Sequence, residues 1–269
     1  MDFDYSNVSY EGLEDAPSVL YKYRCWDDLY HRQILTNRTV YMAPPSSFED
    51  ERECRIDKRF EVTYNDIVNM YFRIAQTERP QYSLERHMER AVELTNETNI
   101  PELSKLLEKN FEEIDSKLGI LSMTEFNNSC VMWDYYANHG TGFCVGFDTH
   151  LLFPLMRAGA RVHYYDKLPM ILIEEDSMVQ VWKQLFCKEL KWQFEQEYRT
   201  RIYNGNGLNL AQRLIQVPKE CIVEVIFGYG MSDLHKNKIY NVCKSTGLTP
   251  AFYQTTKGQN AIDITRLIL

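Results

Sequence analysis

The sequence predicts a mixed α+β domain that is built on a mostly antiparallel sheet and interrupted by a helical insertion. Short stretches that alternate apolar and polar residues, a pattern typical of half-buried strands, recur on both sides of the insertion. Between them, residues 62–118 carry apolar side chains at helical spacing. The sequence has no internal repeat, low-complexity segment or linker composition, so we expect residues 1–269 to form a single domain.

The chain is predicted to begin its fold with a strand, a helix and a second strand. Residues 18–24 alternate as a strand does, and residues 26–37 form a helix with Asp27 and Asp28 in its first turn, where they favour the helix dipole. Residues 38–43 form the next strand, which two prolines end. A polar loop follows, with four carboxylates among the last five residues of the segment 46–53.

Residues 62–118 are expected to add three helices, over 64–77, 83–98 and 101–118. Prolines lie in both breaks, and Pro101 stands in a first turn, where proline is tolerated. We interpret this insertion as a lid or cap that packs against the sheet.

The remaining chain returns mainly to strands. Asn127–Ser129 cap a helix that His139 and Gly140 end. We predict helices over 130–138, 177–191 and 232–246, and strands over 120–124, 142–148, 160–165, 191–203, 214–217, 221–227, 250–254 and 261–267.

Composition limits the function classes. The net charge of −8 argues against a general nucleic-acid-binding surface, which would be basic overall. The seven cysteines are scattered, without a C-x-x-C pair, as in reduced intracellular proteins and unlike a disulfide framework or a zinc site. The polar N-terminus does not resemble a signal peptide, and no apolar run approaches the length of a membrane span. We therefore expect a cytoplasmic protein with no membrane contact and no zinc-type metal centre.

The segment 191–203 holds the most chemically suggestive pattern. If it is one strand, Glu195, Glu197, Arg199 and Arg201 share a face, with about 7 Å between successive residues. Carboxylates beside fixed cations can act as general bases, accept hydrogen bonds from a sugar or ligate a metal. The simpler alternative is a solvated edge strand with weak ion pairs.

This segment and three others resemble, in order and content, a bacterial family known only as a domain of unknown function. Members often occur near mobile elements and phage-defence genes. The family motifs are L-Y-K-Y, M-W-x-x-Y-A-x-x-H-x-G and W-x-x-E-x-E-x-R. Their counterparts are Leu20–Tyr23, then Met132, Trp133, Tyr136, Ala137 and His139, with the histidine one position earlier than in the motif, and then Trp192, Glu195, Glu197 and Arg199. A Phe-(Asn/Glu)-Asp-x-x-Glu loop matches residues 48–53, with Glu49 where Asn is more usual. The resemblance covers residues 18–203, and the insertion departs from it.

The chain more distantly resembles toxin-type ADP-ribosyltransferases, which begin with a strand bearing Arg or His and carry a late E-x-E on a strand. That resemblance implies NAD as a substrate, and a toxin or antiviral-defence effector as the class. It implies Glu197 as the catalytic carboxylate on the ribose and Glu195 as the group that assists the nucleophile. Lys22 or Arg24 would hold the pyrophosphate, and Tyr23, Trp133 or Tyr136 would stack on nicotinamide, with His139 nearby as a further binding residue.

Two other functions remain open from the sequence. Asp50, Glu53, Glu195 and Glu197 could converge on Mg²⁺ or Mn²⁺ for phosphodiester cleavage, with Lys188 or Lys191 near the phosphate. Alternatively, the same blocks could form the pocket of a non-catalytic sensor. The sequence leaves the acceptor open between nucleic acid and a protein, and family context suggests an antitoxin or regulator as a partner.

Overall fold

A computed structural model describes residues 16–50, 52–56, 62–156, 159–173, 175–258 and 261–268. Its centre is an eight-stranded sheet in the spatial order β12-β11-β10-β4-β1-β3-β8-β5. The strands are β1 (Val19–Arg24), β2 (Thr39–Tyr41), β3 (Leu118–Thr124), β4 (Phe143–Asp148), β5 (Ala160–Arg161), β6 (His163–Tyr165), β7 (Cys187–Glu189), β8 (Glu197–Tyr203), β9 (Leu214–Gln216), β10 (Ile222–Phe227), β11 (Ala251–Lys257) and β12 (Ile262–Arg266). Within this sheet β10 and β11 run parallel, and the other neighbouring pairs are antiparallel. The prediction of a mixed fold with a mostly antiparallel sheet is confirmed.

The helices are α1 (Leu29–Thr36), α2 (Tyr64–Glu78), α3 (Leu84–Glu97), α4 (Ile100–Glu112), α5 (Ile114–Lys117), α6 (Cys130–Tyr136), α7 (Thr149–Met156), α8 (Ser177–Phe186), α9 (Leu210–Arg213) and α10 (Asp233–Thr246). Local sequence sets several of their ends. The Asp28 carboxylate caps α1, Ser129 caps α6, and Gly247 ends α10 in the left-handed conformation. Among the described residues, no helix combines the length and the apolar character needed to cross a lipid bilayer.

Helices α1, α7 and α10 contribute to the main core on one face of the sheet. Leu35 of α1, Phe153 of α7 and Ile239 of α10 are buried there with sheet residues such as Phe143 and Val225. The second face carries a separate cluster around Trp133 of α6, and a third cluster lies around Trp182 of α8. Both faces of the sheet are therefore covered. A polar side chain on a buried strand then needs a hydrogen-bonding or oppositely charged partner, because burial removes its contact with water.

The sheet splits between β1 and β3, and this split creates a cleft. The two strands pair at Tyr21 and Thr124. Beyond this point β1 continues along β4, whereas β3 continues along β8 and is bridged by Ala43 at Ile120. Residues 22–24 and residues 118–123 therefore diverge, and the space between them opens as a cavity.

Several predicted elements have different limits in the structure. The helix expected over 177–191 ends at Phe186, because Cys187–Glu189 pairs in parallel with β6. The prediction of one strand over 191–203 is wrong for the first half of that segment. Leu190–Glu195 is a 3₁₀ helix, and Gln196 has a φ of 40° that turns the chain before β8 starts. Helix α7, which contains Pro154, was not expected from the sequence.

The insertion begins with α2 and α3, which are linked by hydrogen bonds from Tyr64 to Asn96 and between Tyr71 and Thr98. Its last turn is tied to the loop after β2, because the Asp115 carboxylate accepts hydrogen bonds from the backbone and hydroxyl of Ser46. Its role as a lid or cap stays a prediction.

Candidate functional site

The cleft between the diverging strands is a cavity of about 680 Å³. This volume lies in the range of small-molecule sites. One wall comes from β1 and α1, and the opposite wall from β3, β7, the 3₁₀ helix 190–195 and β8. The polar side chains that line it include Lys22, Arg24, His31, Glu49, Asp50, Tyr136, Lys188, Glu195 and Glu197. Most of these residues are candidate site residues in the sequence, and the fold brings them together.

Glu195 lies at the end of the 3₁₀ helix and is held by two donors. The Tyr136 hydroxyl donates to its Oε1 at 2.5 Å, and Lys188 Nζ donates to its Oε2 at 2.6 Å. The residue is 5% exposed. Burial and the neighbouring Glu197 charge raise the pKa of Glu195, against the opposing effect of Lys188.

Glu197 opens β8 and is paired more completely. Arg199 binds it through two contacts, Nε to Oε1 and Nη2 to Oε2, both at 2.8 Å. Lys188 Nζ lies 3.4 Å from Oε2. Although burial alone would raise it, these two cations hold the pKa of Glu197 well below its usual range. The two carboxylates are therefore driven in opposite directions, which is the pattern that separates a proton-exchanging group from a permanently charged one.

Arg199 links this wall to the loop after β2. Its guanidinium also binds Glu53 in a forked pair, Nη1 to Oε1 at 2.5 Å and Nη2 to Oε2 at 2.8 Å. Lys188 lies 3.4 Å from the same carboxylate. Arg199, Glu53 and Lys188 are all almost fully buried, and these pairs make a closed network of cations and carboxylates. The alternative of a solvated edge strand is therefore wrong for this segment.

The β1 wall is cationic and lacks such pairing. Lys22 is half-buried and its Nζ donates to the backbone carbonyl of Ser122 across the split. Arg24 is half-buried and donates from Nη1 to the Tyr23 carbonyl at 3.2 Å. In the part of the chain that the structure describes, neither side chain forms a salt bridge. Burial and the Arg24 charge lower the pKa of Lys22 to about 7.

The turn after α6 supports the end of this wall. Asn138, His139 and Gly140 all have positive φ, so the chain reverses tightly there. A Cβ on Gly142 would lie 2.2 Å from the carbonyl oxygen of Arg24, which only glycine avoids. The glycine of this motif therefore lets the turn pack directly on β1.

The aromatic residues divide between the cavity and the core. Tyr136, Trp192 and Phe48 line the cavity. Trp192 has the Lys188 ammonium 4.9 Å from its ring centroid.

Tyr23 lines the cavity but is 2% exposed and donates its hydroxyl to the Phe126 carbonyl. Trp133 is fully buried, packs edge-on against Tyr23 and does not line the cavity, so the stacking role expected of it does not fit this position. His139 also lies outside the lining.

The four carboxylates considered for a metal site do not form one. Glu53 and Glu197 both pair with Arg199 and Lys188. These two side chains supply the positive charge that a metal ion would otherwise supply. Asp50 accepts from the backbone of Arg52 and lines the cavity separately. Among the described residues, no group of three or more His, Cys, Asp or Glu side chains is arranged to hold a metal ion. Glu51 lies outside the described residues.

Sequence reasoning missed the partners that fix the site. Lys188 was considered only for a phosphate, and the long-range pairing of Glu53 with Arg199 was not expected. The arginines nearest to Glu53 in the sequence are Arg52 and Arg55. Arg52 instead binds Glu189, and Arg55 binds Asp115. One signal for this pairing was present in the sequence. Lys188 lies in a mostly apolar stretch just before E-x-E-x-R, and a lysine that is buried there needs an anionic partner.

No protein-family model matches the chain, and neither the curated proteins nor the solved structures include a match to it. The two resemblances drawn from the motifs stay predictions.

Proposed function

We propose that the chain is an ADP-ribosyltransferase-like enzyme that uses NAD as its substrate. One observation carries the proposal: Glu195 and Glu197 face Lys22 and Arg24 across a single cleft formed where β1 and β3 separate. NAD has a dianionic pyrophosphate at its centre and a cationic nicotinamide at one end. A cavity with cations on one wall and carboxylates on the other is complementary to that charge distribution.

The two carboxylates suit the breaking of the bond between nicotinamide and ribose. Positive charge grows on the ribose as this bond lengthens, and a permanently ionised group nearby stabilises it. Glu197 meets that requirement because Arg199 and Lys188 keep it charged and fixed in orientation. Its place in the cavity wall suits an approach to the ribose hydroxyls.

Glu195 suits the proton transfer that an acceptor needs. Its pKa is raised whereas that of Glu197 is lowered, so Glu195 is the carboxylate that takes up and releases a proton more readily. Tyr136 and Lys188 fix its orientation while leaving acceptor capacity on both oxygens. In this proposal it takes the proton from the incoming nucleophile.

The other wall suits the phosphates and the aromatic ring. Arg24, with no salt bridge to a described carboxylate, is the residue that we assign to the pyrophosphate. Tyr136 and Trp192 provide aromatic surface in the cavity for nicotinamide. Trp133 and His139 are left out of the binding set.

The biological setting follows from the resemblances alone. We propose a cytoplasmic toxin or phage-defence effector that modifies nucleic acid or a host protein, with an antitoxin or regulator as its partner. The motifs shared with the domain of unknown function contribute to this site, since Lys22, Tyr136, Glu195 and Glu197 all line the cavity.

The decisive experiment is incubation of the chain with labelled NAD and cell lysate, comparing wild type with Glu197→Gln. We expect a loss of label transfer of about 100-fold or more, because the substitution removes the fixed charge next to the developing cation. Glu189→Gln is the matched control, since Glu189 pairs with Arg52 and Lys191 and does not line the cavity. It should keep nearly full activity.

The proposal fails if Glu197→Gln transfers label as well as wild type does. Both variants should first be shown to unfold at similar temperatures, because Glu197 is also part of the buried network. NAD that binds, by calorimetry, without any turnover would favour the alternative of a non-catalytic sensor.

A further inference from the structure

Two lysines line the cavity, and their surroundings are opposite. Lys188 is 5% exposed, and its ammonium lies within 3.4 Å of carboxylate oxygens from Glu53, Glu195 and Glu197. Lys22 stands on the other wall, beside Arg24, with the carbonyl of Ser122 as its hydrogen-bond acceptor. One amine is thus surrounded by anions, and the other is placed next to a cation.

The charges that face Lys22 come from several elements. Arg24 lies on the same strand, His31 belongs to α1, and Glu195, Glu197 and Lys188 belong to the opposite wall. Glu197 and Glu195 favour the charged form of Lys22 and oppose the effects of burial and of the Arg24 charge. Burial and Arg24 prevail and lower the pKa of Lys22 to about 7.

A neutral lysine in a cavity is a nucleophile. A desolvated amine beside a second cation is a recognised way to activate lysine toward carbonyl carbons. Lys22 can keep one N–H on the Ser122 carbonyl and still present its lone pair to the cavity. Arg24, the next cation on the same side of β1, is available for an anionic group of the same ligand.

We propose that Lys22 forms an imine with the aldehyde of a phosphorylated sugar whose phosphate binds Arg24. The Nζ lone pair attacks the aldehyde carbon, a proton moves from nitrogen to the former carbonyl oxygen, and the resulting carbinolamine loses water to give the C=N bond. Amine and aldehyde thus become imine and water, with no oxidant or reductant. Glu195, which lines the same cavity and has a raised pKa, is placed to deliver the proton to the departing hydroxyl.

The aldehyde has two sources with the same chemistry. One is ADP-ribose in its open-chain form, which rests on the proposed function because NAD cleavage releases it when water is the acceptor. The other is a free sugar phosphate, which requires no NAD turnover. The test therefore uses ADP-ribose and glyceraldehyde 3-phosphate in separate arms.

The experiment treats the full chain with each aldehyde and cyanoborohydride at pH 7.5 and measures the adduct at each lysine by peptide mass spectrometry. We expect Lys22 to react roughly tenfold or more faster than Lys191, an exposed lysine with a raised pKa that serves as the internal reference. Unphosphorylated glyceraldehyde should react more slowly at Lys22 than its phosphate, and Arg24→Gln should remove that difference. Lys22→Arg should abolish the adduct at this position.

Two results would overturn the proposal. Labelling of Lys22 no faster than that of Lys191, with both phosphorylated probes, would show that the amine is not activated. Equal labelling rates at Lys22 for glyceraldehyde and for its phosphate would contradict the assignment of a phosphorylated sugar as the ligand. Reaction with one phosphorylated probe and not the other supports the imine and identifies its source. If Lys22 is activated in a chain that does not consume NAD, the imine proposal stands and the proposed function fails, so the two failures can be distinguished.

Discussion

The two walls of the cavity handle buried charge in opposite ways. The wall formed by β7, β8 and the 3₁₀ helix between them compensates its charges internally, with Arg199 and Lys188 shared among three carboxylates. The β1 wall offers Lys22 and Arg24 only backbone carbonyls among the contacts of the described residues. The charged groups of the first wall already have partners of opposite charge, whereas the two cations of the second wall can still bind an anionic ligand.

This difference separates positioning from binding. A compensated network fixes the orientation of Glu195 and Glu197 through several bonds at once, so they are held ready before a substrate arrives. Unpaired cations cost stability, and they are retained most readily where a ligand provides the missing charge. The comparison thus predicts that substitutions in the two walls change stability in opposite directions.

The largest effect is expected from breaking the compensated wall with Arg199→Met. This change leaves Glu53 and Glu197 buried with only Lys188 between them. We expect the free energy of unfolding to fall by about 3–5 kcal/mol, measured by urea denaturation. Arg90→Met on α3 is the matched control, because its pair with Glu93 is exposed, and it should cost less than about 1 kcal/mol. Similar losses in both variants would show that the network is not a special source of stability.

A smaller effect, of opposite sign, is expected from Lys22→Met on the cationic wall. The folded-state pKa of Lys22, about 7, lies below its ordinary value of 10.5. The unfolded chain therefore binds the extra proton between these pH values, and the stability of wild type rises with pH across that window. The cost of Lys22 is fully present below pH 7, so Lys22→Met should raise the free energy of unfolding there by on the order of 2 kcal/mol.

The advantage of Lys22→Met should shrink as the pH approaches 10, which urea denaturation of both proteins at pH 6, 8 and 10 will test. Lys188→Met makes the comparison sharper, since the same substitution on the opposite wall leaves three carboxylates with one cation fewer. It should destabilise the protein at pH 6. If both variants shift stability in the same direction, the contrast between the walls is incorrect.

The smallest effect is expected from Tyr136→Phe, which removes one hydrogen bond to Glu195. The free energy of unfolding should fall by about 1 kcal/mol. Because this hydrogen bond lowers the pKa of Glu195, its loss should raise that pKa further and move the acid limb of the activity profile to higher pH. Tyr135→Phe, which changes an exposed neighbouring ring, is the control and should leave the pH profile unchanged. Identical pH profiles for wild type, Tyr136→Phe and Tyr135→Phe would show that Tyr136 does not influence the pKa of Glu195.

Much of the fold could be predicted because local patterns carry it. The alternation in β1 and β10, and the start signals of α6 and α10, depend on neighbouring residues alone. The segment 191–203 could not be predicted in the same way. Its alternation favours a strand throughout, but contacts of Glu195 with Tyr136 and Lys188 accompany a 3₁₀ turn in its first half. Tertiary contacts prevail over propensity in such short segments.

The sequence by itself determined the residue types of the site and the strands that carry them, except for Glu195, which lies on a 3₁₀ helix. Lys22, Arg24, Glu195 and Glu197 all line the cavity, although they are far apart in the chain. Only the tertiary structure decided their electrostatic states. Protonation depends on burial and on charges within a few ångströms, and the charges next to Glu197 come from Arg199 and from Lys188. Likewise, the low pKa of Lys22 arises first from its burial, which is a property of tertiary packing that no local pattern encodes, and then from the Arg24 charge.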